Sequence, residues 1–174
     1  MEGSRNMKRL NTRYICAVAL GIALYVVMSM AAKIPVIGHI GLDMGYVVLA
    51  VYCYCVGSVA GAIVGGCGCV LVSLISSGWF PPGWLAGNIF IGFVCGYLYS
   101  HYKSQKTVVI NALITAVAVC IGVIGIKTAI ECVLYGIPIA VKIPKNAIAG
   151  AMDAGVMILG VLIAPQIDRI NNAR

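Results

Sequence analysis

Six stretches of this chain, approximately 14–32, 43–56, 58–77, 83–101, 108–135 and 146–165, run almost without charge. Most are long enough to cross a bilayer, which takes roughly 17 to 25 apolar residues as a helix. Only a helix satisfies its own backbone hydrogen bonds in hydrocarbon, so such runs have little choice of conformation. The 174 residues are 10% charged, with a mean hydropathy of +1.02, whereas a soluble domain carries roughly 25% charge. So few charges cannot coat a globule, and most of the surface must face lipid. The pattern predicts an all-α polytopic membrane protein of the cell membrane: one integral domain over 1–174, folded as a six-transmembrane-helix bundle. The second run is short for a crossing, and its boundary with the third, at Gly57, is the least sharply marked. The first run reads as a retained helix, since no small-residue cleavage motif follows it.

An even number of crossings puts both termini on one side. Arg5, Lys8, Arg9, Arg13, Lys103, Lys106, Arg169 and Arg174 lie on that side, and only Lys33, Lys142 and Lys145 flank the other ends. Basic residues concentrate in cytoplasmic flanks, so both termini are expected to be cytoplasmic. The net charge of +7 follows from this topology and from anionic headgroups, with no need of nucleic acid.

Chemistry-bearing motifs are sparse. The chain has no H-E-x-x-H, G-x-S-x-G or Walker sequence, and its two histidines, His39 and His101, fall on opposite faces. An enzyme is therefore not expected, and any nucleotide-driven motor must lie in another subunit. Eight cysteines include the C-x-C pairs Cys53/Cys55 and Cys67/Cys69, which lack zinc-knuckle spacing. Cys16, Cys67, Cys69, Cys95, Cys120 and Cys132 lie in apolar runs and read as buried free thiols. Neither a metal nor a cofactor is expected.

Three ionisable residues stand inside the apolar runs. "VIGIKTAIECVLYG" carries Lys127 and Glu131 four residues apart, and the last run carries Asp153. A charge at mid-bilayer costs about 2.5 to 3.5 kcal/mol or more, so such groups face the protein interior or a wet cavity and find partners. Lys127 can pair with Glu131 one turn away or with Asp153, its expected partner at matching depth. Asn88, Asn146, Asp43 and Tyr46 fall at the same outer level, beneath His39 and the aromatic loop with Trp84. Together they suggest an outward-facing ligand pocket. The residues alone leave blander roles open: an ion pair that only joins helices, Asp43 as a helix cap, His39 as an ordinary loop residue, Trp79 and Trp84 as interfacial anchors.

Small residues recur every four positions: Ala17 with Gly21, Ala19 with Ala23, Gly57–Gly61–Gly65, Gly83 with Gly87, and Gly92 with Gly96. Such faces let backbones approach closely where lipid offers no hydrophobic gain. The later glycines read as internal packing. The first-helix set, Ala17, Ala19, Gly21 and Ala23, reads as a surface for a partner.

The order of these elements resembles the S components of energy-coupling factor (ECF) vitamin transporters, closest to the group labelled riboflavin-type. The resemblance rests on "ALGIALYVVMS", "IPVIGHIGLDMGYVVLAVYCYCVGSVAGAIVGG", "SSGWFPPGWLAGNIFIGFVCGYL" and "VLYGIPIAVKIPKNAIAGAMDAGVMILGVLIAP". It implies a six-helix unit that captures a vitamin or precursor outside, works with a T component and a pair of ABC-type ATPases, and topples to carry its ligand inward. It further implies that Ala19 and Ala23 meet the T component, and that the ligand lies between the outer parts of helices four to six and the first and fifth loops. Relatives often read "GHALKD" where this chain has "GCGCVLVS" at 66–73, so any role of that His or Asp does not carry over. The contrasting reading is a structural or assembly protein whose small-residue faces only organise neighbours.

Overall fold

The computed structural model describes residues 12–31, 34–37, 40–102 and 108–172. His39 lies outside the described residues, as do Arg5, Lys8, Arg9, Lys33, Lys103, Lys106 and Arg174. Within them the chain forms α1 (Thr12–Ala31), α2 (Gly45–Cys55), α3 (Ser58–Ser77), α4 (Pro82–His101), α5 (Val108–Tyr135) and α6 (Ile139–Asn172). Between α1 and α2, β1 (Ile34–Ile37) and β2 (Ile40–Leu42) pair antiparallel, Ile34 opposite Leu42. This hairpin amends the all-helical expectation. "IPVI" is β-branched around a proline, a combination that disfavours a helix and suits a short edge strand.

Among the described residues, four helices are long and apolar enough to cross a membrane: α1, α3, α5 and α6 over Ile139–Ile170. Helix α4 matches α1 and α3 at 20 residues, and opens with Pro82 at its first turn, where a missing N–H costs nothing. Helix α2 has 11 residues, about 16 Å of rise, roughly half a hydrocarbon core. It sits at the centre, with Leu49, Ala50 and Cys53 fully buried, against α1, α3, α4 and α6. The outer surface is apolar: Val109, Leu113, Val117 and Ile121 line the exposed face of α5 at steps of four, a lipid-facing stripe.

Two boundaries differ from the sequence reading. Helix α6 begins at Ile139, about two turns before the expected start at Asn146, because the Pro138 carbonyl accepts from the amides of Val141 and Lys142. Pro144, expected in a loop, is therefore inside the helix. Helix α5 ends at Tyr135, with Gly136 in the left-handed region at φ 63° donating its N–H to Cys132 O. The thiols also divide differently. Cys53, Cys69 and Cys95 are buried, but Cys16, Cys67 and Cys120 are exposed on outward faces, where a small apolar side chain is equally at home in lipid.

Helices α3 and α4 make the closest crossing. A Cβ added to Gly92 would sit 2.4 Å from the Gly61 carbonyl oxygen, so the two backbones touch directly. Gly155, exposed on α6, has open space around it. Gly92→Ala is therefore expected to lower stability in detergent by about 1–3 kcal/mol through overpacking, while Gly155→Ala is neutral or slightly stabilising; paired thermal unfolding curves of the two variants check this.

Candidate functional site

One end of the bundle is where α1, α3 and α5 finish and α2, α4 and α6 start, so it lies opposite the described termini. A cavity of about 440 Å³ opens there, within the ordinary range for small-molecule sites of about 300–1,000 Å³. Every helix contributes to its wall. Of the residues singled out in the sequence, Lys127, Glu131, Asp153 and Asn88 line it, and so do Asn146, Asp43, Tyr46 and Trp84.

The local geometry of α5 explains how Lys127 and Glu131 arrive there. From Cys120 to Lys127 the helix widens to π turns. Its inward residues step by five, Gly122 to Lys127 and Val123 to Thr128, and the ordinary spacing then resumes to Glu131. A regular α-helix would instead turn Ile126 toward that face. Wide turns of this kind occur frequently at functional sites. Close approach of α4 supports the widened segment: a Cβ on Gly87 would lie 2.8 Å from the Gly122 carbonyl oxygen.

A polar network is built on this segment. Lys127 Nζ lies 3.4 Å from Glu131 Oε1, and Lys142 Nζ donates to Glu131 Oε2 at 2.9 Å. Lys127 also donates to Asn146 Oδ1, and Asn146 Nδ2 donates to Thr128 Oγ1 at 2.8 Å. The Lys127 ammonium stands 4.2 Å from the centre of the Trp84 ring, a cation–π contact that gains strength on desolvation. Lys127 thus pairs with Glu131 and Asn146 rather than with Asp153, correcting the expected partnership. The i,i+4 spacing brings Glu131 within reach, whereas Asn146 sits about 10 Å, or two turns, above Asp153 along α6. Trp84 is half-buried against the core and joins this network, beyond the interfacial role the sequence left open.

At the α1–α2 side, Asp43 accepts from Ser29 Oγ at 2.5 Å and from the Gly45 N–H at 2.9 Å. Asp43, one residue before the N-cap Met44, therefore takes up the first amide of α2, and it also lines the cavity. Below it, three buried polar atoms make no hydrogen bond of good geometry among the described residues: Tyr46 Oη, Asn88 Oδ1 and Asp153 Oδ2. Their residues are 1%, 1% and 4% exposed. Buried polar atoms are nearly always paired, by protein or by ordered water, and Asn111 Oδ1, which does not line the cavity, is in the same position.

Sequence reasoning missed part of the lining. Ser73, Ser76 and Ser77 recur at helical spacing at the end of α3, and Tyr25 stands one turn before Ser29 on α1. This spacing of polar groups within apolar runs was the available signal. Lys142 and Lys145 were assigned to a loop but project from α6 into the cavity. A second recess of about 320 Å³ shares Ser73, Ser77, Trp84 and Glu131 and extends past Trp79 and Tyr135, which are joined by a 3.4 Å hydrogen bond.

Away from the cavity, α1 divides its small residues. Ala19 and Ala23 are exposed, Ala17 is half-buried, and Gly21 is buried. A Cβ on Gly21 would lie 2.6 Å from the Tyr52 ring. Gly21 is thus an internal packing residue, which corrects its expected place on a partner surface.

A sequence profile described as "ECF-type riboflavin transporter, S component" matches residues 9–167. Two proteins of Streptococcus thermophilus strains, both named UPF0397 protein, are 27% identical over 96 residues, which is 55% of this chain. The chain spans about half the length of these curated relatives, the match covering 53% of each.

The network ranks its members. Removing Lys127 strands Asn146 Oδ1 and half of Glu131 in a buried setting, whereas Lys142 is partly exposed and its loss leaves Glu131 with Lys127. Lys127→Met is expected to cost about 3–5 kcal/mol and Lys142→Met about 1 kcal/mol or less. Denaturation of the two variants in the same detergent checks this, and equal losses would contradict it.

Proposed function

The chain belongs to the family of S components of ECF-type riboflavin transporters, the substrate-binding membrane subunits of such importers, and from that premise we propose that it captures a vitamin or vitamin precursor outside the cell. The observation that carries this reading is the cavity of about 440 Å³ lined by Lys127, Glu131, Asp153, Asn88 and Asn146. Lipid cannot satisfy them, and a polar cavity of this size at the membrane-spanning bundle's end suits a small solute. The proposed ligand contacts are Lys127, Glu131, Asp153, Asn88, Asn146, Asp43, Tyr46 and Trp84, with His39 from the first outer loop.

In this mechanism Lys127 is held by Glu131, Asn146 and Trp84 before the ligand arrives. Its ammonium then costs little ordering when a substrate acceptor meets it, and preorganisation of this kind strengthens binding. The polar floor fixes orientation, and the glycine-packed helices below it close the path, so release inward requires a movement of the whole subunit. That movement is driven by a T component and two ATPases. The proposed docking face is the exposed Ala19–Ala23 stripe of α1. Riboflavin, named in the family description, is the first substrate to test.

Purification from native membranes in mild detergent is expected to carry down a T component, an ATPase pair and a planar heteroaromatic molecule, identified by mass spectrometry after denaturation. Trp84→Ala should cut retention of the small molecule at least about tenfold, worth 1.4 kcal/mol, while leaving the protein partners attached. A chain that carries neither partners nor ligand would favour the assembly-protein reading.

The excess of Lys and Arg near the chain ends supports a cytoplasmic location for both termini, with the cavity mouth outside. Modification of single-cysteine variants by a membrane-impermeant thiol reagent on intact cells is expected to reach a cysteine at Lys145 and to spare one at Arg174. The reverse labelling pattern would invert the topology.

A further inference from the structure

The network around Lys127 leaves positive charge over. Glu131 is a single carboxylate shared by two ammoniums, Lys127 Nζ at 3.4 Å from Oε1 and Lys142 Nζ at 2.9 Å from Oε2. Lys145 lines the same cavity from α6, three residues after Lys142 and so on the same side of the helix. It makes no hydrogen bond or ion pair among the described residues. Asp153, the other acid of α6 that lines the cavity, is eight residues further on, about 12 Å along the axis. Three lysines against one carboxylate leave this wall two positive charges in excess.

The hydrogens divide in the same way. An ammonium carries three. Lys127 turns its own to Glu131 and Asn146 and stands over the Trp84 ring, so it is fully engaged. Lys142, half-buried, gives one to Glu131 and keeps two, and Lys145, exposed, keeps all three. The serines of α3 do not compete for this role: Ser76 and Ser77 donate to the carbonyls of Val72 and Ser73 on their own helix. The start of α6 therefore presents two neighbouring cations with uncommitted donors to the cavity.

We propose that the captured solute carries an anionic group, a carboxylate or a phosphate, and that Lys142 and Lys145 bind it, Lys145 being the residue that selects for it. This rests on the reading of the cavity as the ligand site and deepens it. Hydrogen bonds between an ammonium and an anion are among the strong ones. Glu131 holds Lys142 in place, so one of the two contacts is arranged before the anion arrives. A lipid phosphate offers the same chemistry. Both lysines, however, share the cavity lining with Trp84, Asn88 and Asn146, so an anion that reaches the two of them belongs to whatever fills that space.

The test uses the purified full chain in neutral detergent and probe pairs that differ in the anionic group: nicotinamide against nicotinate, pyridoxine against its phosphate ester, and riboflavin against its phosphate ester. Affinities are measured by calorimetry. In at least one pair the anionic member is expected to bind at least about tenfold tighter, and Lys145→Gln should bring that ratio to about threefold or less while Lys145→Arg keeps most of it. The ratio in the native chain should also shrink as salt rises from about 0.01 to about 1 M. Lys145 is exposed and unpartnered, so both variants are expected to fold with an unchanged Tm; if Lys145→Gln does not fold, the native ratios and their salt dependence decide. Equal or tighter binding of the neutral member in every pair would overturn the proposal, as would an unchanged ratio in Lys145→Gln or no binding by any anionic probe. Native mass spectrometry with phosphatidylglycerol separates the two sources of the anion. Retention of that lipid abolished by Lys145→Gln would assign the lysines to a headgroup and overturn the proposal, whereas equal retention by both chains leaves them to the solute. A retained natural ligand without an acidic group would sink this inference and leave vitamin capture standing; absence of both retained ligand and probe binding would sink both.

Discussion

The ion pair and hydrogen bonds around Lys127 are the interaction on which the cavity end of the molecule depends. An ammonium cannot sit among apolar helices unless its charge is met locally, and here Glu131, Asn146 and the Trp84 ring meet it from three helices. That requirement ties the end of α5 to the starts of α4 and α6. The widened turns of α5 serve it by shifting the inward face so that Lys127, Thr128 and Glu131 all point the same way. A cavity beside them survives because its walls are held apart by groups whose bonds are directional, unlike aliphatic side chains that would collapse into the space.

Tight backbone contact elsewhere complements this openness. Direct approach of α3 to α4 at Gly61 and Gly92, and of α4 to α5 at Gly87 and Gly122, leaves no room for side chains between those helices. Van der Waals contact and the fit of small residues hold such crossings together, since lipid contributes no hydrophobic drive. The short α2, wrapped on all sides, gives the centre of the bundle its apolar core. The molecule therefore combines a closed half toward the chain ends with an open polar half at the other, an arrangement suited to holding a solute on one side of a barrier.

Much of this was legible in the residues. The apolar runs implied the helices, and the rarity of charge made Lys127, Glu131 and Asp153 conspicuous. All three line the cavity with Asn88, Asn146, Asp43, Tyr46 and Trp84, because polar groups at one membrane depth have nowhere to go but inward. What was not legible was local. The early start of α6 hid Lys142 and Lys145 in a supposed loop, since a proline at 144 ordinarily argues against a helix. The serines at the end of α3 bond to their own helix carbonyls and look unremarkable until α4 and α5 are packed opposite them.

By itself, then, the sequence determined the solvent of this protein, the order of its helices and which of them carry ionisable groups, because hydrophobic length and charge rarity are one-dimensional properties of a chain. Only the tertiary structure decided which of those groups are partners. Lys127 turns to Glu131 and Asn146, Gly21 turns inward to Tyr52, and Asp153 lines the cavity apart from the Lys127 network. Pairing depends on helix rotation and on register to within a fraction of a turn, and a single widened stretch in α5 changes both.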